Sequence, residues 1–397
     1  MYQYDIMVAG HLCLDIIPWF PNNQTSNVYE IIRPGKLVNV GKAKISTGGP
    51  VSNTGLNMKT LGTRVCFCGC VGDDKFGQIA IELLQNSGNA DGIKIIKGQA
   101  SSYTLVIAPP GIDRIFFHNS GTNNIFSADY INSDMIRHCR HFHFGYPPLM
   151  KSMFDNEGDN LVEVFKTAKE AGATTSCDMS LPDPESESGR VNWRRVLERI
   201  LPYVDMLLAS LEETLYMLDK RTFLDLKKQW DGAELIDHLA PRDFSNLANE
   251  VLAMGAGVCS LKSGHRGFYI KTGDKNTIAH VADTDNLENW SHRELWAPAF
   301  VVEQFGSATG SGDSSIAGFL SAFLRGLTIE KALKYATCCG LQNVKVLDAV
   351  SGIKSWQETT DMIQDDMPLI DINCNDNNWI FNDNYKLWIG PEDTLAS

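Results

Sequence analysis

"FGSATGSGDSSIAGFLSAFL", Phe305 to Leu324, sets three glycines and one acid in front of an apolar run. From Ser314 onward Ile316, Ala317, Phe319, Leu320, Phe323 and Leu324 recur at helical spacing, which predicts a largely buried helix. Its N-terminus is expected at Gly312-Asp313. The first N–H groups of a helix have no internal partner, and the aligned peptide dipoles make that end positive. Glycines let the chain turn tightly and approach a ligand closely, so Gly310 and Gly312 suit an anion such as phosphate. Asp313 is open to two readings. It is either a helix cap or a base that abstracts a proton beside a bound phosphate.

Working outward, strand and helix patterns alternate. "YDIMVAG", "RVCFCGCVG", "HFHFG", "TTSCDMS", "VDMLLAS" and "GVCSLKSG" read as strands. Helices are expected near Pro50–Leu61, Phe76–Gln85, Val162–Glu170, from Glu212, and near Leu247–Met254. Repeated βα units predict an α/β fold with a doubly wound, mostly parallel sheet covered on both faces. Two segments break the pattern. Val28–Ser46 and Ser101–His118 carry turn signals ("RPGK", "PPGIDR") and lead into no crossover helix. They are expected to be strand pairs forming a small β-sheet lid, with Asp113-Arg114 at a hairpin turn. The lid thus falls within about residues 17–46 and 100–120 of a domain spanning 1–356. Residues 220–242 look inserted, and 357–397 read as a peripheral C-terminal appendage.

Composition narrows the function. The net charge of −13 over 397 residues argues against nucleic acid or an anionic membrane as the main partner. No apolar window reaches the length of a membrane span, and the first twenty residues lack the basic start of a secretory leader. A cytoplasmic location is the expectation. Cys66, Cys68 and Cys70 alternate along one strand face, but no histidine cluster or second cysteine pair completes a zinc site. Buried thiols are the expectation there, as is ordinary strand packing for His141 and His143.

"STGGPVSNTGLNMKTLG" supplies a second glycine site, Gly48-Gly49, ahead of a helix that Pro50 can open. Neither glycine site is a Walker A loop, a dinucleotide fingerprint or a nucleophile elbow. Two such sites over the strand C-termini of a doubly wound sheet can serve two ligands that meet there.

Together these motifs resemble the ribokinase-like (PfkB) carbohydrate kinases over about residues 4–355. "VAGHLCLDIIP" resembles the family's first strand, which implies a sugar-gripping acid at Asp15. "RPGK" with "STGGPVSN" resembles its lid strand and Gly-Gly signature, implying sugar contacts at Gly48, Gly49 and Asn53. "LKSGHRGFYI" resembles the nucleotide loop, with Lys262, Gly264 and Gly267. "SATGSGDSSIAGF" corresponds to the D-T-x-G-A-G-D signature, which implies an anion hole at Gly310, Ser311 and Gly312 and a catalytic base at Asp313. The N-x-x-E element falls on Ser210 to Glu213, with magnesium near Glu213 through water, and the adenine-side position falls on Thr337. The expected reaction is ATP-dependent transfer of a γ-phosphate to a hydroxyl of a small sugar, with Mg²⁺.

The departures are Ser307 and Ala308 where the signature has Asp and Thr, and Ser210 where the element has Asn. They bear on nucleotide affinity and on the family's monovalent-cation site, which Asp348 could rebuild. A nucleoside kinase of the same fold is the enzymatic rival, and a catalytically weak sugar- or nucleotide-binding regulator is the rival from another class. A homodimer paired through exposed lid strands is compatible with the pattern.

Overall fold

The computed structural model describes residues 2–395 except 22–27, 32, 88, 110–114, 231–233, 282–285, 366, 373 and 375–377. Along Tyr4–Gly10 the side chains alternate between two cores: Ile6 and Val8 enter one, Met7 and Ala9 the other. A strand apolar on both faces is stable only in mid-sheet, with helices above and below. That is where it lies. Among the described residues, seven strands run parallel in the order Val258–Lys262, Met206–Ser210, Thr174–Asp178, Cys139–Gly145, Tyr4–Gly10, Val65–Gly72 and Asn89–Ile96. Antiparallel strands Phe268–Thr272, Glu294–Ala297, Leu387–Ile389 and Ile380–Asn382 extend the Val258 edge. The expected helices are present, among them Pro50–Thr60, Lys75–Ser87, Asp159–Glu170, Leu211–Leu218 and Pro241–Ala253. All ten cysteines are buried thiols. His141 and His143 lie within the sheet, hydrogen-bonded to Thr174 and Ser176.

A separate four-stranded sheet forms the lid, in the order Ala43–Gly48, Cys13–Pro18, Tyr103–Ile107, Ile115–Asn119. Three expectations need correction here. Val28–Ser46 is not a strand pair, because Val28–Ile31 is a single helical turn and only Ala43–Gly48 is extended. The missing partner is Cys13–Pro18, so the lid begins before residue 17 and Asp15 sits on a lid strand rather than on the first strand of the main sheet. The tail is not peripheral. Ile372, Cys374 and Trp379 enter one core and Leu387 the other, because an uncovered Glu294–Ala297 strand would expose a hydrogen-bonding edge. Asp113-Arg114 lies outside the described residues. The inserted region folds onto the body: Phe223 stacks edge-on against Tyr216 with centroids 5.2 Å apart, and Leu239 O accepts from Arg266 Nη1 at 2.7 Å.

Candidate active site

The chain leaves Tyr4–Gly10 toward Val65–Gly72 on one side and later returns beside it on the other as Cys139–Gly145. Connections diverging from neighbouring strands open a crevice at their C-terminal ends, where ligands bind in doubly wound sheets. Gly10, at a φ of 118°, brings the two strand ends so close that a Cβ would lie 2.4 Å from Gly145 O. His11 and Tyr146 follow directly on these glycines, and Asp178, Ser210 and Lys262 end the next three strands. The cavity between Arg140, Thr174, Trp290 and Phe323 opens at the opposite edge, where strands begin, and is separate from this crevice.

The helix that opens the site begins earlier than its periodicity predicts, at Ser311 instead of Gly312-Asp313. Gly310 precedes it at a φ of 74°, with Ala349 Cβ only 2.3 Å from where a side chain would start. A residue with a side chain is excluded there on both counts. The Ser311 N–H turns back to Ala308 O at 3.2 Å. The first-turn donors outside the helix's own ladder are therefore the N–H groups of Gly312 and Asp313.

Asp313 does not cap the helix. Its carboxylate is buried and accepts from Asn53 Nδ2 at 2.9 Å, Thr54 Oγ1 at 3.3 Å and the Tyr146 hydroxyl at 3.0 Å to each oxygen. Burial pushes this carboxyl above the usual range, while Asn53, the Lys262 ammonium, Tyr146 and Thr54 pull it back.

The Gly48-Gly49 site lies where the lid joins the helix Pro50–Thr60. A Cβ on Gly48 would lie 2.3 Å from an Asp15 oxygen, and one on Gly49 (φ of 84°) 2.4 Å from His11 O. Both glycines let the chain entering the helix Pro50–Thr60 pack against the segment His11–Asp15. Asp15 accepts from Cys13 Sγ at 3.3 Å, and burial raises its carboxyl to about 6 against the hydrogen bonds of Cys13 and Thr104. Across the lid, Ser46, Asp15, Thr104 and His118 are aligned in one row, with Thr104 Oγ1 and His118 Nδ1 3.0 Å apart. His118 Nε2 meets His11 Nε2 at 3.3 Å, and burial together with His118 lowers His11 to about 3. Asn53 reaches Asp313 with its amide nitrogen, while its buried Oδ1 has no partner.

On the other side Lys262 approaches the glycine turn Gly310–Gly312, its Nζ 3.5 Å from where a Gly312 Cβ would be, and pairs with buried Asp178. Burial pushes Asp178 upward, with Glu213 and Asp313 adding to the push and Lys262 opposing it. Asp178 Oδ2 is buried without a partner. Ser210 and Glu213 form a reciprocal cap: Ser210 N donates to Glu213 Oε2 at 2.6 Å and Glu213 N to Ser210 Oγ at 3.2 Å. Gly264 (φ of 50°) and Gly267 (φ of 94°) turn the chain between two antiparallel strands. A Cβ on Gly267 would lie 2.1 Å from Ala297 O, so the turn needs glycine whatever binds nearby. Thr337 turns its hydroxyl back to Leu333 O and Lys334 O of its own helix, both at 3.2 Å.

Ser307 accepts from Thr309 N at 3.0 Å, a hydrogen bond within the loop itself. Tyr146, Thr54, His11, His118 and Asp178 are the members of the crevice that motif reading passed over. Asp178 carried a signal, an acid closing the strand "TTSCD" in the run of βα units; Tyr146 carried only its place in a loop after a strand.

The chain is similar to known proteins in sequence and in fold. The model of the pfkB family of carbohydrate kinases matches residues 11–356. The probable chloroplastic fructokinase-6 of Arabidopsis thaliana is 23% identical over 358 residues, covering 88% of this chain and 79% of that protein. The ATP-dependent ribose-1-phosphate kinase of Halopiger xanaduensis is 23% identical over 337 residues, covering 84% and 90%. Among solved structures, the fructokinase with bound ATP from Xylella fastidiosa superposes with a TM-score of 0.66 at 17% identity, covering 91% of this chain and 98% of that one.

Proposed function

Because the chain belongs to the pfkB family of carbohydrate kinases, and is thus an ATP-dependent sugar kinase, we propose that Asp313 is its catalytic base. The observation that carries this is the buried Asp313 carboxylate, held by Asn53, Thr54 and Tyr146 at the positive end of a glycine-opened helix. A sugar hydroxyl docks against Asp313 and gives it a proton as its oxygen bonds to the γ-phosphorus. The bond from that phosphorus to the bridging oxygen breaks, and ADP leaves. Phosphoryl transfer asks a protein chiefly for alignment and for charge around a loose anionic transition state. The turn Gly310, Ser311, Gly312 supplies that charge, through the N–H groups of Gly312 and Asp313. Asp15, Gly48, Gly49 and Asn53 hold the sugar, since an ionised carboxylate can accept from two neighbouring hydroxyls. Lys262, Gly264, Gly267, Ser210 and Thr337 line the nucleotide side.

Magnesium fits this donor set. Asp178 offers an unpartnered buried oxygen and Glu213 lies beside the same lysine, so water-mediated contact there would neutralise phosphate charge. The lid excludes water as a competing acceptor. Half-exposed Ile45 and Phe117 on the outer lid face suit a homodimer, which sedimentation velocity would detect. Among the described residues no helix is long and apolar enough to cross a membrane; the buried thiols suit a reducing compartment such as the cytoplasm. ADP release measured over a panel of sugars, polyols and nucleosides tests the assignment. Turnover confined to nucleosides would replace the sugar reading, and no turnover with any acceptor would favour a binding regulator.

A further inference from the structure

The lid touches the catalytic body at a second place, away from the acceptor. On Ala43–Gly48, Ser46 lies opposite Asp15 and Lys44 opposite Ile17, so Lys44 shares the inner lid face with Asp15. Its ammonium reaches across to Asp348, in the loop after helix Ile329–Val344. Asp348 Oδ1 also accepts from Val350 N at 2.9 Å and Ser351 N at 2.7 Å, and Oδ2 accepts from Ser351 Oγ at 2.7 Å. This carboxylate therefore fixes the loop's shape.

The same loop is the wall behind the phosphate turn. Ala349 lies against Gly310 closely enough to forbid a side chain there, and Ala349 O accepts from Asn57 Nδ2 at 3.0 Å. Gly306 N donates to Val344 O at 2.7 Å, and Asn343 Nδ2 to Thr309 O at 2.7 Å. The lid's inner face thus carries one residue for the acceptor, Asp15, and another that reaches the loop behind the phosphate turn, Lys44.

We propose that Lys44 is a positioning residue: through Asp348 it locks the lid to the loop behind Gly310, so that covering the acceptor and setting the phosphate turn become one event. Surface ion pairs add little stability, and half-exposed Lys44 should add little. What it supplies is register. A phosphate turn displaced by an ångström misaligns the transferring group, whereas a displaced lid alone weakens only acceptor binding.

The turnover arm of the test rests on the kinase reading; the exchange arm does not. Lys44→Met keeps the stem and removes the charge, and Lys44→Arg restores a charge. Hydrogen exchange on the whole, unliganded protein should be faster in Lys44→Met than in wild type across residues 306–313 and 348–351, with an unchanged melting temperature. With ATP and the acceptor found by the panel, Lys44→Met should lower kcat about 10- to 100-fold, and Lys44→Arg should recover most of it. Lys44→Met combined with Asp348→Asn should cost no more than Asp348→Asn alone. Unchanged exchange at 306–313 in Lys44→Met would overturn the proposal, whether or not the acceptor KM moves. If the wild type phosphorylates nothing, the kinase reading fails while the exchange result still decides whether Lys44 holds the turn.

Discussion

As the proposed base, Asp313 would have to take a proton in a dry site, and its neighbours pull its carboxyl in opposite directions. Asn53, Thr54 and Tyr146 donate to the charged form, while burial favours the neutral one. Asp313→Asn should keep the fold and sugar binding but lower kcat by roughly 10²–10⁴-fold, the usual worth of a positioned base. Calorimetric sugar binding alongside steady-state rates would check both halves. Asp15 works differently, because its carboxyl is already raised to about 6. As pH falls through about 6 it gains a proton and loses acceptor capacity, so the acceptor KM should rise there while the KM for ATP holds still. Asp15→Asn should flatten that pH profile and weaken sugar binding by about 1.5–3 kcal/mol. Stability has the opposite sign. A folded value of about 6 against an ordinary 3.8 means the contribution is present below 3.8 and lost as pH rises through 6. Asp15→Asn should therefore melt higher than wild type at pH 8. Ser307 is a third single-residue matter. It offers an oxygen without a charge, and Asp348, the acid that could rebuild a cation site, is committed to Lys44, Ser351 and two N–H groups. Those contacts outweigh burial and hold Asp348 at about 2. Turnover in potassium should match turnover in a bulky organic cation at equal ionic strength; a large saturable rise specific to potassium would contradict this.

At the scale of elements, helix ends do the positioning. The helix Ser311–Leu324 is buried along most of its length, so its N-terminal donors are fixed by packing instead of by a side-chain cap. The helix Leu211–Leu218 is fixed by its Ser210–Glu213 box, which takes up the hydroxyl and one carboxylate oxygen. Ser210→Ala should cost about 0.5–2 kcal/mol in urea unfolding, the usual range for a lost N-cap. Because Glu213 faces Lys262, the same change should also raise the KM for ATP. An unchanged KM would confine the box to helix capping.

For the molecule as a whole, the tail matters more than its polar composition suggests. Trp379 sits 6.0 Å from Trp296, centroid to centroid, and 6.1 Å from Tyr269, both rings buried in one core. Removing residues 371–397 would uncover those rings and leave Glu294–Ala297 as an open edge. The truncated chain should lose cooperative thermal unfolding or aggregate, read by calorimetry and light scattering. A truncated chain that melts like wild type would return the tail to the status of an appendage. Its strands were hard to see because each is three residues long, too short for alternation to stand out.

The parallel strands, their helices, the glycine turns and the place of Asp313 were legible in the chain itself, because each depends on local causes: periodicity, positive φ and unpaired N–H groups at a helix end. The glycines needed at Gly49, Gly267 and Gly310 are demanded by backbone angles that only glycine adopts readily, wherever the rest of the chain goes. What the tertiary structure decided is everything set by strand order. Asn53 meets Asp313 across 260 residues, Tyr146 across 167, and Lys44 meets Asp348 across 304. No local pattern encodes such pairs. They follow from which strands become neighbours when two faces of one sheet must both be buried, and from the register that places Asp15 and Lys44 on the same side of the lid. Val28–Ile31 and the tail strands were settled the same way, by the edges and gaps left once the long elements had packed.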